Sequence, residues 1–374
     1  MLMKHSLQLC LVVAMLLISG APVQAETPSL SKLGGLAEKY VAALNKYLAA
    51  DNSGSWIPFV SSDKEKAGNE VRGYLDEALV VLMDDSLVRL KNDVKKLQAE
   101  NRALEEKNTL LWLDKSAAPT SSKFYEIWKT TTSDIDDKIS DNKRKINRNN
   151  NLVEQNMEKI QRGLESGGIV LTRGQFDGIF LTVSGEDQLE SMVVLKNLYA
   201  LSDATKALMG ESNNLTVSKK YYGIFLLATG AHQYQLQNNL KAIDDDYIPR
   251  ITDLQAQNRR LMNETREKAR TNPQYQSNLN AQETTDLVAS KFKDLLAAQR
   301  GIIKERISAL TNIIQYTENA YKTVSLASNI SDIMDRCVSD LQDLLAMPVL
   351  PPMDVENDLE QKFLEISDML ASKE

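Results

Sequence analysis

Aliphatic residues return every seven positions along much of the chain. Met83, Leu90, Leu97, Leu104 and Leu111 fall at sevens, interleaved with Val80, Leu87, Val94, Asn101 and Asn108. Such an a/d repeat predicts a helix that buries one seam against a partner and supercoils left-handedly. A second run carries Ile139, Ile146, Val153 and Ile160 at sevens, with Asn142, Asn149 and Asn156 at the alternate seam positions. Between the two runs, residues 117–122 contain Pro119, which a helix interior does not tolerate. A short break between long helices predicts an antiparallel coiled-coil hairpin over 63–163. The seam asparagines have two readings. They cross-pair between the helices and fix their register, or they face water where the helices separate.

The remaining pattern divides the chain further. Leu30, Leu33, Leu36, Tyr40, Leu44 and Tyr47 recur at threes and fours, which predicts a helix over about 29–50 and, with the loop after it, an N-terminal unit at 26–62. Ser62 and Glu65 form a capping-box pattern that opens the next helix. Residues 164–230 differ in texture, mixing small and apolar residues without a long period, and predict a small compact helical head. Thr172 caps a short helix there, or Arg173-Gly174 turns a β-hairpin; Ser184 opens a helix to about Leu201. Phe176, Phe180, Tyr221 and Phe225 are candidate partner or membrane contacts of this head, the alternative being its core.

Over 231–346 the seven-residue spacing returns at Leu240, Tyr247, Leu254 and Leu261, with Pro249 predicting a kink and Pro273 a turn. Residues 279–346 then run without proline, so a second long hairpin is expected, with a rod of about 100 Å as one limb. Pro348, Pro351 and Pro352 stop it, and a tail at 347–374 carries an amphipathic helix over about 354–371.

Composition sharpens this to an all-α, elongated protein of antiparallel helical hairpins. With 16 glycines, 9 prolines and 6% aromatics in 374 residues, turns are too few for a β-sandwich, barrel or propeller. At 43% hydrophobic, the chain has enough apolar residues to exclude disorder. Residues 1–25 read as a cleaved secretory signal: Lys4, an apolar stretch from Leu7 to Leu17, and Val23-Gln24-Ala25 before the cleavage point. The longest later apolar run, Tyr221 to Ala231, is too short to cross a bilayer, so a periplasmic or secreted protein is expected. Removing Lys4 leaves 43 basic against 51 acidic residues, a net of −8 without a basic stripe, which argues against nucleic acid. DNA-binding zippers carry a basic helix before the repeat, whereas Glu77 to Asp85 is apolar and acidic.

Candidate chemistry is sparse. Only Cys337 and His232 remain of their kinds after the signal, so zinc clusters of His and Cys are ruled out. Cys337 reads as a small core residue or as one half of an intermolecular disulfide. No phosphate loop, dinucleotide fingerprint or nucleophile elbow occurs. Asp244, Asp245 and Asp246 point in three directions on a helix and read as a solvated face. No catalytic residue, cofactor or metal is expected. In architecture, though in no residue motif, the pattern resembles the periplasmic adaptor hairpins of export pumps and the exported α-helical pore-forming toxins. The function expected is a non-catalytic scaffold that binds a protein partner, or itself, through coiled-coil helices. A toxin-like protein using 164–230 on membranes is the alternative.

Overall fold

A computed structural model of the chain describes residues 30–49, 65–83, 86–118, 131–211, 215–323, 330–351 and 359–371. The signal sequence, Ser62 of the capping box and the Pro119 break lie outside them. The described residues are all-α, with no strand among them. In chain order the helices are α1 (Leu30–Ala49), α2 (Glu65–Met83), α3 (Ser86–Ala117), α4 (Thr132–Glu165), α5 (Arg173–Leu181) and α6 (Val183–Glu211). They continue as α7 (Leu215–Ala242), α8 (Ile248–Thr271), α9 (Gln276–Thr323), α10 (Ile330–Ala346) and α11 (Glu360–Ala371).

Helix α7 forms the centre, packed on α1, α2, α6 and α9. Every residue from Tyr222 to Gln233 is buried, which accounts for the apolar run there: a helix that is hydrophobic around its whole circumference is an interior helix. Small residues let neighbours approach, and a Cβ at Gly230 would stand 3.1 Å from the Tyr40 hydroxyl of α1. Residues of α6 and α7 share one core with α1, α2, α9, α10 and α11. The expected compact head at 164–230 is therefore not set apart, and α7 runs unbroken through its expected boundary at 230.

A second core seats the hairpin α3–α4. Leu87 and Val94 of α3 and Ile160 and Leu164 of α4 meet Phe176, Ile179 and Phe180 of α5, Leu189 and Met192 of α6, and Val349 and Leu350. Of the two readings of Thr172, the helix holds: its side chain accepts from the Gln175 amide and Gln175 returns to the Thr172 N–H. The corner from α5 to α6 is made by Thr182, whose hydroxyl donates to the Gly178 carbonyl and accepts from the Gly185 N–H, both at 3.0 Å. A Cβ at Gly185 would lie 2.6 Å from the Gly178 carbonyl oxygen, so glycine is what allows the two helices to meet there.

Two expectations for 231–346 are corrected. The 279–346 limb is not one rod. Helix α9 ends at Thr323, and α10 folds back on α9 and α6, bringing the Cys337 sulfur 3.6 Å from the Thr317 hydroxyl. Ahead of Pro249 lies a π-helical turn, Ile243–Tyr247, in which the Ile248 N–H reaches back five residues to the Ile243 carbonyl. Such a turn accommodates the missing proline N–H and shifts the phase of the helix. Buried positions before it step 236, 243, 247, then continue 251, 255. Leu261, expected on the seam, consequently points outward and is 54% exposed.

Candidate functional site

The hairpin α3–α4 is the feature that stands off from the cores. Near its base, Lys91 pairs with Glu190 at 2.6 Å, Lys95 with Glu186 at 2.5 Å, and Arg102 with Asp368 of α11 at 3.0 Å. Beyond Arg102, every described hydrogen bond or ion pair from α3 to another helix goes to α4. Lys115 holds Asp136 at 2.5 Å near the tip.

Between base and tip the seam asparagines cross-pair. Asn101 Nδ2 donates to Asn150 Oδ1 at 2.7 Å, Asn149 Nδ2 to Asn101 Oδ1 at 3.0 Å, and Asn142 Nδ2 to Asn108 Oδ1 at 2.8 Å. Asn101, Asn108, Asn142 and Asn149 are all buried, while Asn156 is half-buried. The reading with amides facing water between separated helices is thus set aside for these four. Asn150, exposed on the wheel, is a partner that the seven-residue spacing passes over.

Burial also ranks the two interleaved registers. Leu87, Val94, Asn101 and Asn108 are buried, whereas Leu90, Leu97, Leu104 and Leu111 are half-buried. The series carrying the asparagines faces α4 most directly, and the leucines flank it. On α4, Ile139 and Ile160 are buried and Ile146 and Val153 half-buried. Met83 lies apart, half-buried against the main core at the end of α2, where its sulfur accepts from Gln235 Nε2 at 3.8 Å.

Buried paired amides are costly to separate, because one left alone keeps its full desolvation penalty. Asn108→Ala is expected to destabilise the arm by about 1–2 kcal/mol, since it strands Asn142. Replacing both Asn108 and Asn142 by leucine recovers that loss and loosens the register. Native-state hydrogen exchange of α3 and α4 amides measures both effects. A single variant as well protected as the wild type would remove the ladder's energetic role.

The contacts expected of 164–230 are placed differently from the expectation. Phe176, Phe180 and Phe225 are core side chains, Phe176 and Phe180 meeting edge to face at 5.5 Å, and only Tyr221 is half-buried. None of the three phenylalanines is available to a partner or a membrane without opening a core.

A buried polar layer runs along α6, α7 and α9. Gln299 Nε2 donates to the Ser184 carbonyl at 3.1 Å, Asn239 Nδ2 to Ser191 Oγ at 3.3 Å, and the Tyr247 hydroxyl to Asp187 Oδ2 at 3.1 Å. Gln233 Nε2 donates to Thr311 Oγ1 at 2.7 Å and reaches the Ile307 carbonyl at 3.3 Å, which sets His232 beside Arg306. Arg306 is fully buried and donates to the carbonyls of Leu344, Met347 and Pro348. Burial pushes its guanidinium down to about 10. His232 is also fully buried, and among the described residues neither ring nitrogen has a partner in good hydrogen-bonding geometry, Gln235 being its polar neighbour. Burial first and the Arg306 charge second push the imidazole down to about 3, with Gln235 acting in the opposite sense.

A general base needs access and a group that orients it, and in this conformation His232 has no access. Three surface grooves lined by described residues open elsewhere: between α1 and α2, between α8, α9 and α11, and beside Tyr321. Among the described residues no group of three or more His, Cys, Asp or Glu side chains is placed to hold a metal ion. Asp244 pairs with Arg300 at 2.6 Å, and Asp246 lies 3.7 Å from Arg250, so two of the three acids expected on a solvated face serve ion pairs. Cys337 is buried in the main core and its thiol is pushed up to about 11, chiefly by burial.

No protein-family model, curated protein or solved structure matches the chain. No described helix is long and apolar enough to cross a membrane.

Proposed function

We propose that the protein is an exported, non-catalytic scaffold that binds a protein partner in the bacterial envelope or exterior. The observation that supports this best is the arm α3–α4. At 1.5 Å per residue, 32 residues of α3 extend about 48 Å, and among the described residues the distal part of that length bonds across to α4 alone. Seated in the second core at its base, the arm keeps the polar flanks of its distal part for recognition.

Its amide ladder supports the same reading. A buried polar pair in a helical seam specifies one register at the expense of stability, as suits an arm that must hold a fixed surface toward a partner. The signal-like residues 1–25 support export. A mature chain with one cysteine, held in the core, suits an oxidising compartment in which stability comes from packing instead of disulfides.

A photo-crosslinking residue placed at the exposed positions Glu106 and Arg148 of the arm tests the proposal in the native envelope fraction. Discrete protein adducts from both positions, with none from the exposed Lys304 of α9, are expected. An identical pattern at all three positions, or no adduct at the arm, overturns it.

A further inference from the structure

The end of α3 is apolar on the side away from α4. Leu110, Trp112 and Leu113 are 61%, 53% and 65% exposed, while Leu111 between them is half-buried on the α4 side. Successive helical residues turn by about 100°, so these three side chains spread over about 160° of the solvent-facing circumference. A packed partner helix covers an apolar stripe of roughly 100°. One rigid helical face would leave part of this cluster in water, whereas a deformable apolar medium covers all of it.

The charge of the region points the same way. Over the described residues 107–118 and 131–138, three lysines stand against four acidic residues, so no excess of positive charge draws this end of the arm to an anionic surface. The Lys115 ammonium sits over the Trp112 ring at 4.9 Å, which joins a cation to the polar edge of the apolar cluster. Tryptophan and leucine on one side with lysine beside them is the composition of helices that settle at the lipid headgroup boundary. One exposed turn rises about 5 Å, the depth of interfacial burial and far short of a span.

We propose that the end of α3 docks on an uncharged, zwitterionic lipid surface, with Leu110, Trp112 and Leu113 entering the interface. This goes beyond the scaffold function above and holds whether or not a protein binds the arm's flanks.

The test uses the full mature chain and phosphatidylcholine vesicles. With Trp56 and Trp128 replaced by phenylalanine, Trp112 is the remaining tryptophan and reports its own depth. Blue-shifted emission and quenching by brominated acyl chains are expected on vesicle addition. The variant Leu110→Glu/Leu113→Glu alters only exposed positions. It is expected to keep the wild-type circular dichroism and thermal midpoint while its vesicle partition falls at least about tenfold. Absence of wild-type binding overturns the proposal, as does equal partition of the double variant. Loss of self-association in sedimentation without any vesicle binding also overturns it, and assigns the cluster to a contact between copies.

Discussion

Replacing Arg306 with methionine is expected to loosen α10 from the core and to lower global stability by about 2–3 kcal/mol. The side chain leaves α9 fully buried and ends on a helix terminus: Nε donates to the Pro348 carbonyl at 3.1 Å, and Nη2 to the carbonyls of Leu344 at 3.0 Å and Met347 at 3.3 Å. The last carbonyls of a helix have no partner within it, and a cation there also meets the negative end of the helix dipole. Three acceptors at the end of α10 are therefore satisfied by one residue from another helix. Two effects oppose each other in the variant. The burial penalty of the guanidinium disappears, along with an Nη1 that has no partner among the described residues, while a buried carbonyl and two partly buried ones lose their donor. The second effect is the larger, because methionine fills the space but donates nothing. Arg306→Lys keeps the charge without the planar fork and is expected to recover part of the loss. Urea midpoints, with hydrogen exchange over α10, measure it. A midpoint for Arg306→Met equal to that of the wild type would contradict the capping role.

Arg306 also shows where sequence periodicity stopped. It lies three residues after Ile303 and four before Leu310, squarely on the buried face of α9. A search for apolar repeats steps instead to Ile307, which is half-buried. A charged side chain on a core face is invisible to hydrophobic pattern until its partners are known, and those come from residues 344–348, far along the chain. The reversal between α9 and α10 was illegible for a related reason. Neither glycine nor proline lies in Thr323–Ile330; Ser325, Ser328 and Asn329 are weaker signals, competing with the backbone for hydrogen bonds.

What was legible is what local chemistry controls. The hairpin α3–α4 followed from its repeat, while the helix start at Thr172 and the cross-pairing of the seam asparagines were each legible as one of two readings. The asparagine pairs needed only that two neighbouring helices run antiparallel. The roles of Phe176 and Phe225 were not legible, because a run of exposed and a run of buried aromatics look alike until the surrounding helices are placed. Leu110 and Leu113 err the other way: they fall outside the seam, and only their exposure identifies the end of α3 as an apolar surface.

Between pH 6 and 4 the wild-type protein is expected to show little change in stability from His232 and Asp187, because these two groups titrate in opposite senses. His232 is held down to about 3 by burial and by Arg306, against about 6.5 when unfolded. Below pH 6.5 the unfolded chain takes up a proton that the native state refuses, so stability falls as pH drops toward 3. Asp187 is raised to about 6, first by burial and then by Glu190 and Glu186, with the Tyr247 hydrogen bond and Lys91 acting against the rise. Between pH 6 and the ordinary carboxyl value, the native state holds a proton that the unfolded chain has lost, so stability increases as pH drops. Each one-proton difference is a slope of about 1.4 kcal/mol per pH unit, and over this window the two slopes cancel. Removing either group exposes the other. Asp187→Asn keeps an acceptor for the Tyr247 hydroxyl and leaves His232 uncompensated, so from pH 6.5 to 4 its stability is expected to fall by about 2 kcal/mol more than that of the wild type. His232→Leu is expected to deviate upward over the same range. Urea unfolding at half-unit steps of pH supplies the curves. Subtracting the wild type from each variant removes the exposed carboxylates common to all three, so two difference curves of the same sign would show that one of these groups is not held in the core as described.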